Sequence, residues 1–369
     1  MTGATTGVMT GAIGDGAIGV AGAAIILVTA ADIFRSLLVP RASTRVLRVA
    51  PLLLVALFAG WQAGADRIPF PRLRQNMRAS LAPLMLVLTM MVWAALVILG
   101  FGLVFWANRG AFQPGFATVR DAIYAAGCAF STLGINGRVH GDAVRVAVLA
   151  CSVFGLALVT VVATFLISIQ TGYARRETLV LRLESHVTLP PAGIAILETY
   201  AREGIVGRLG AFFEAWELWA ADVAISHRAF PILLFFRSND SRCEWLAALG
   251  AVLDAAALLD ATIADPPDAA RAGAHFVMRT GARMLDDMTT QFALGDPRPV
   301  ALVDVHRFRL HRERLAAAGY AIVEDDRAAF ECFHERRRTY AAALATLARR
   351  LRVDFDERTG GDDDSEPQQ

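Results

Sequence analysis

The feature that most constrains this chain is a run of 27 residues without a charged side chain, from Leu81 to Ala107. As an α-helix it would rise roughly 40 Å, at about 1.5 Å per residue, which is enough to cross a bilayer with some tilt. A second uncharged run of 25 residues extends from Val146 to Gln170 and is followed closely by arginines. Both runs predict membrane-spanning helices.

A third apolar stretch, Gly16 to Ala31, predicts a first span near the N-terminus, which continues to Val39 if Asp32 and Arg35 lie at the interface. No basic residue precedes Arg35, so this stretch lacks the charged region of a signal peptide and we expect no cleavage. Its glycines at 14, 16 and 19 match a dinucleotide-binding spacing, but no strand precedes them. We interpret them as small residues for close helix packing.

Arginine clusters on both sides of the apolar stretch 49–64 decide the expected topology. If this stretch spanned the bilayer, one cluster would lie outside, against the positive-inside tendency. An interfacial helix within an arginine-rich cytoplasmic segment 41–78 keeps both clusters inside. We therefore expect a multi-pass protein of the cell membrane, in bacteria the inner membrane, with the C-terminal half cytoplasmic. A four-span topology remains the alternative.

Between the two long uncharged runs lies a short segment, residues 118–137, with the sequence TVRDAIYAAGCAFSTLGING. Thr118 and Asp121 form a Thr-x-x-Asp capping pattern that predicts a helix over 119–131. Its C-terminal carbonyls would favour a cation. Non-helical backbone at membrane depth must line water or be buried in protein, so we interpret residues 132–136 as a selectivity filter.

In such a filter, backbone carbonyls replace the water around an ion, and alternate residues adopt conformations that favour glycine. The candidate filter residues are Thr132, Leu133, Gly134, Ile135 and Asn136. Gly134 supplies one such position. Asn136 occupies the next, and asparagine tolerates a positive φ better than most residues. The sequence therefore predicts left-handed backbone at both.

The order of span, DAIYAAGCAFSTLG and second span resembles the two-span pore domain of bacterial potassium channel-family proteins, whose filters are typically Thr-Leu/Val-Gly-aromatic/Leu-Gly-Asp. Residues 132–135 match, whereas Asn136 stands at the second glycine and Gly137 at the aspartate. Segments 32–41 and 226–259 also look like one subfamily of these proteins. The resemblance implies passive conduction of potassium or another monovalent cation. Because one loop supplies one wall of a four-walled filter, we expect a homotetramer.

The second long run predicts an inner helix over 143–170 with Gly155 near its middle. Gly155 would act as a hinge that eases bending, and the hydroxyls of the run would wet the cavity. Ordinary helix packing by small residues is the alternative. At the outer mouth, Arg138, Arg145 and also His140 would face one acid, Asp142. Arginine there would lower the local cation concentration or, equally, would pair with Asp142 or Asp121 and be structural.

Residues 171–355 predict a helical cytoplasmic domain, and the acidic tail 356–369 is expected to be disordered. The helical segments are Ile194–Glu203, Leu209–Ile225, Cys243–Ile263, Asp268–Phe292, His306–Ala318 and Arg327–Leu351. Its histidines and cysteines lack metal-site spacing, and Ser226 with His227 has no third partner. We expect no enzymatic activity, no cofactor and no metal beyond the permeant cation. A net charge of +1 gives no sign of a nucleic-acid partner.

These patterns together predict an all-α membrane protein. It has an N-terminal transmembrane helix (1–40), a potassium-channel-like pore domain (79–170, with its outer helix over 81–107) and a helical cytoplasmic domain. The expected function is cation conduction through a tetrameric pore in a lipid bilayer, with an unidentified cytoplasmic partner also considered. A non-conducting membrane scaffold or sensor with a degenerate pore fold is the alternative. A membrane enzyme ranks third, because clustered intramembrane acids and metal ligands are lacking in the sequence.

Overall fold

The computed structural model describes residues 3–38, 71–238, 242–292 and 303–351, with side chains over 14–36 in the first helix and from residue 84 in the second. The chain in these ranges is nearly all helical. The helices are α1 Gly3–Leu38, α2 Pro71–Ala107, α3 Val119–Phe130, α4 Asp142–Glu184, α5 Gly193–Arg202, α6 Leu209–Ala229, α7 Trp245–Thr262, α8 Asp268–Gln291, α9 Val305–Ala317, α10 Asp326–Arg338 and α11 Ala341–Leu351.

The chain divides into two compact units, residues 1–168 and 169–369. Three helices of the described chain carry long apolar stretches whose side chains are mostly uncovered, over 14–36, 84–107 and 142–184. Such helices are long and apolar enough to cross a membrane. The predicted interfacial helix over 49–64 and the tail 356–369 lie outside the described residues.

In the first unit, α1 and α2 pack antiparallel to each other. A Cβ on Gly22 would lie 2.5 Å from the carbonyl oxygen of Gly100, so the two backbones approach closely where both residues are glycine. Towards one end of the pair, Arg109 forms an ion pair with Asp15 at 2.7 Å. Towards the other, Trp93 Nε1 donates to Asp32 Oδ2 at 3.0 Å. These contacts hold α1 along α2.

The outer and inner helices are both longer than the sequence predicted. Helix α2 begins at Pro71 rather than 81, and α4 runs unbroken to Glu184 rather than ending at 170. The predicted ends of both helices follow the limits of the uncharged runs, where arginines begin. Arginine is a good helix former, so the helix continues where the apolar pattern stops. Helix α4 therefore extends from the first unit into the second.

The second unit is built around α7, which is apolar on all sides and almost completely buried. Its composition alone would permit a span, yet 89% of its apolar window is buried within the protein. Helices that are hydrophobic all round are found in cores as well as in membranes. Here α5, α8 and α10 pack against it, so we assign α7 as the central core helix.

Asp254 is a buried charged residue within that core. Asp254 of α7 accepts hydrogen bonds from Tyr340 Oη at 2.6 Å and Arg337 Nε at 3.1 Å. The expected single helix over 327–351 is wrong, because the chain turns at Thr339 and Tyr340 between α10 and α11. That turn inserts the fully buried Tyr340 against Asp254, so tertiary contacts override the local helical pattern.

Candidate functional site

Helix α3 begins with the reciprocal cap that its sequence predicts. Asp121 Oδ2 accepts from the backbone N–H of Thr118 at 2.8 Å, and the Thr118 hydroxyl accepts from the backbone N–H of Asp121 at 3.4 Å. Two backbone donors at the helix start are thereby satisfied. The helix buries an alanine face, Ala122, Ala125, Ala126 and Ala129.

Helix α3 ends in a Schellman turn, which is formed by the first residues of the candidate filter. The backbone N–H of Thr132 donates to the carbonyl of Ala129 at 3.0 Å, and that of Leu133 donates to Cys128 at 2.9 Å. Thr132 takes the left-handed position of this motif, with φ of 61°. A β-branched residue is strained there. The start of the candidate filter is thus a tight, strained turn.

The other filter residues differ in exposure and conformation. Leu133 is 81% exposed, whereas Ile135 is half-buried against the core of the first unit. Gly134 has φ of 88°, as predicted. The prediction of left-handed backbone at Asn136 is wrong, because Thr132 is the only non-glycine residue with positive φ in the described part of the chain. Positive φ was predicted at residues 134 and 136 and is found instead at residues 132 and 134.

Gly137, which follows the candidate filter, has a steric reason to be glycine. Its φ is 111°, and a Cβ there would lie 2.2 Å from the carbonyl oxygen of Gln113. Gln113 belongs to β1 (Phe112–Gln113), which pairs antiparallel with β2 (Arg138–Val139). The segment after the filter is therefore held against the loop that precedes α3.

The inner helix α4 is joined to α3 over one turn. Ser152 Oγ donates to the carbonyl of Ala129 at 2.9 Å. A Cβ on Gly155 would lie 2.0 Å from the carbonyl oxygen of Phe130. Gly155 thus permits a close helix contact, which supports the packing alternative. Its role as a hinge stays a prediction. The Ser152 hydroxyl, expected in the cavity, bonds α3 instead.

At the mouth, Arg145 has a structural role. Its Nε donates to the carbonyl of Val139 at 3.0 Å, and its Nη1 lies 3.5 Å from Asp142 Oδ1. Asp121, the other candidate acid, is occupied by the helix cap. Arg138 is exposed, and its effect on cations stays a prediction.

Helix α4 presents an uncovered apolar face along the first unit. Large aliphatic side chains spaced three and four residues apart are more than 60% exposed, namely Val146, Leu149, Val153 and Leu156. Tyr124 of α3 is 75% exposed. An apolar surface of this extent requires a cover, either lipid or further protein.

In the second unit, sequence analysis missed a buried arginine on the extension of α4. Arg176 is 1% exposed and donates to the carbonyls of Leu233 at 3.0 Å and Phe236 at 2.7 Å. It also pairs with Glu177 at 2.9 Å and lies over the Trp245 ring at 5.2 Å. The sequence indicates only that Arg176 is one of the arginines that follow the second uncharged run.

His227 is buried beside Arg176. Its Nδ1 lies 2.9 Å from the carbonyl of Val223, which requires a proton on Nδ1. Burial and the charge of Arg176 lower the pKa of His227 to about 3. The neutral ring can therefore accept from Arg176 through Nε2, at 3.5 Å. This pair joins α4 to α6.

Over the described ranges, no group of three metal-ligating side chains is close enough to hold an ion. Comparison of the chain with protein-family models, with curated proteins and with solved structures finds no match in any of the three. The resemblance to potassium channels therefore rests on the residues quoted above.

Proposed function

We propose that this chain is a potassium-channel-like membrane protein, which conducts monovalent cations passively through a homotetrameric pore. The conducting path would be lined by backbone carbonyls from Thr132 to Asn136. The observation that carries the proposal is the exposed left-handed turn at the carboxyl end of α3, with positive φ at Thr132 and Gly134. A helix end directed at such a turn favours a cation.

The uncovered face of α4 supports the tetrameric part of the proposal. Leu149, Val153 and Leu156 would contact α4 or α3 of neighbouring copies around a central axis. Four copies are required because one loop provides only one side of a closed ring of carbonyls.

Flux through liposomes tests the proposal. The purified full chain, reconstituted without other proteins, should take up rubidium down an imposed gradient. Gly134→Ala should abolish uptake because an alanine at φ of 88° is strained within the filter. Gly141→Ala is the matched control, since Gly141 has φ of 80° and open space around it but lies outside the filter. Equal uptake by both variants would contradict the proposed path.

The non-conducting scaffold remains the second candidate, and the conformation of Asn136 favours it. Without left-handed backbone at 136, the carbonyl ring would be shorter than in the family's filters. A folded tetramer that passes no rubidium in either direction would support the scaffold and exclude conduction.

A further inference from the structure

A cavity of about 570 Å³ lies within the second unit, between the end of α4, the end of α5 and the start of α6. This volume falls in the range of small-molecule sites, about 300–1,000 Å³. All its lining residues lie between 179 and 216. It is separate from the pore loop and from the Arg176 cluster.

The cavity has an aromatic wall. Tyr200, Phe212 and Trp216 line it, with ring centroids 5.4 Å apart for Tyr200 and Phe212 and 6.3 Å apart for Phe212 and Trp216. Trp216 is buried, while Tyr200 and Phe212 are half-buried and present ring surface to the cavity. Such a wall suits a planar ring, which packs against aromatic side chains with favourable offset geometry.

The charged residues that line the cavity are mostly cationic. Arg182, Arg202 and Arg208 line the cavity, and Glu203 is the one acid among the lining residues. Glu203 forms an exposed ion pair with Arg202 at 3.7 Å. Arg182 and Arg208 have no acidic partner within 4.0 Å in the described part of the chain. The positive charge of both reaches Tyr200, where it opposes the burial that raises the pKa of this phenol.

The position of Arg208 is unfavourable for stability. Arg208 is the N-cap residue of α6 and makes no side-chain cap. The amino end of a helix carries partial positive charge and prefers an acid or an anion. Arg182 and Arg202, by contrast, lie in the last turns of α4 and α5, where cations are favourable. An anion beside Arg208 would satisfy both the guanidinium and the helix end.

We propose that this cavity binds a nucleoside polyphosphate, with its base against Tyr200 and Phe212 and its phosphates between Arg182 and Arg208. An aromatic wall beside two unpaired guanidinium groups matches a ligand with a planar ring and several negative charges. Arginine recognises phosphate through paired N–H donors, which gives direction as well as charge. This proposal is independent of ion conduction.

Calorimetric titration of the full chain in detergent tests the site, with ATP, adenosine and tripolyphosphate as probes. ATP should bind with a Kd below about 1 mM, and adenosine and tripolyphosphate should each bind at least about tenfold more weakly. Absence of ATP binding would overturn the proposal. Equal affinity for tripolyphosphate would overturn the role of the aromatic wall.

Variants locate the binding. Arg182→Ala and Arg208→Ala should each weaken ATP binding about tenfold or more, since each removes a charge-assisted hydrogen bond. Arg327→Ala is the matched control, because Arg327 is an exposed arginine outside the cavity, and it should bind ATP as the parent does. ATP affinity unchanged in both cavity variants would overturn the proposal. Without ligand, Arg208→Ala should melt no lower than the parent, whereas a purely structural role would lower its melting temperature.

Discussion

Adjacent arginines on α4 offer a sharp test of how the helical unit is held together. Arg176 is buried at 1% exposure, and its neighbour Arg175 is 60% exposed in an ion pair with Asp222. Both residues are arginines on the same helix, and they differ in burial. Replacement of either arginine with methionine removes the charge and keeps part of the length of the side chain.

The structure sets the size of the expected effect. Arg176→Met leaves the Phe236 carbonyl without the Arg176 donor, whereas the Leu233 carbonyl keeps the backbone N–H of Phe236 at 3.1 Å. The substitution also leaves the mostly buried Glu177 without its cation. An unsatisfied buried group costs about 1–3 kcal/mol, and a buried charge that loses its partner costs more. Removal of a buried cation returns part of that cost, because burying it was unfavourable. We expect a net loss of about 3 kcal/mol in the free energy of unfolding. Arg175→Met should lose at most about 1 kcal/mol, as an exposed ion pair does.

Tryptophan fluorescence during thermal unfolding measures this difference in the full chain. Trp219 Nε1 donates to the backbone carbonyl of Arg176 at 2.9 Å, so the signal reports on this region. For a unit of this size, about 2–4 °C per kcal/mol gives a drop of about 6–12 °C for Arg176→Met. Equal melting temperatures for the two variants would refute the structural role of Arg176.

Other substitutions test the pore loop and the histidine. Gly155→Ala should destabilise the full chain by about 1–3 kcal/mol through overpacking. Gly127→Ala is the control and should not, because the nearest atom to a Cβ there is 3.9 Å away. Equal thermal stability of the two variants in detergent would contradict the close contact at Gly155. Thr132→Gly should raise stability by about 1 kcal/mol because φ of 61° strains a β-branched residue, and Asn136→Gly should give no gain; the opposite order in thermal melts would count against the observed turn. Because the pKa of His227 is lowered to about 3, the unfolded chain protonates first and stability should fall as pH decreases from about 6.5 towards 3; urea midpoints of His227→Gln that show an undiminished pH dependence would exclude this cause.

The long apolar helices and helix α3 could be predicted because their signals are local. An uncharged run is a statement about consecutive residues, and the cap at Thr118 and Asp121 is a pattern over four positions. Hydropathy and capping therefore indicated α2, α3 and α4, although the helix ends were displaced where arginines continue a helix beyond its apolar part. Gly134 followed from the same local argument.

Contacts between residues far apart in the chain could not be predicted from the sequence. Nothing near Arg176 in the chain indicates that the carbonyls of Leu233 and Phe236, about sixty positions away, would satisfy its donors. The position of the strained filter residue was also misjudged, because the Schellman turn at the end of α3 assigns the left-handed conformation to Thr132 whatever its intrinsic preference. The expectation for Asn136 rests on propensity alone, and this residue has no positive φ.

An experimental structure of the full chain in lipid nanodiscs would test conduction through the pore loop most directly. We expect four copies around one axis, with the carbonyl of Gly134 from each copy directed at that axis and the apolar face of α4 covered by neighbouring copies. A monomer, or an assembly in which the Gly134 carbonyls point away from a shared axis, would contradict the proposed ion path.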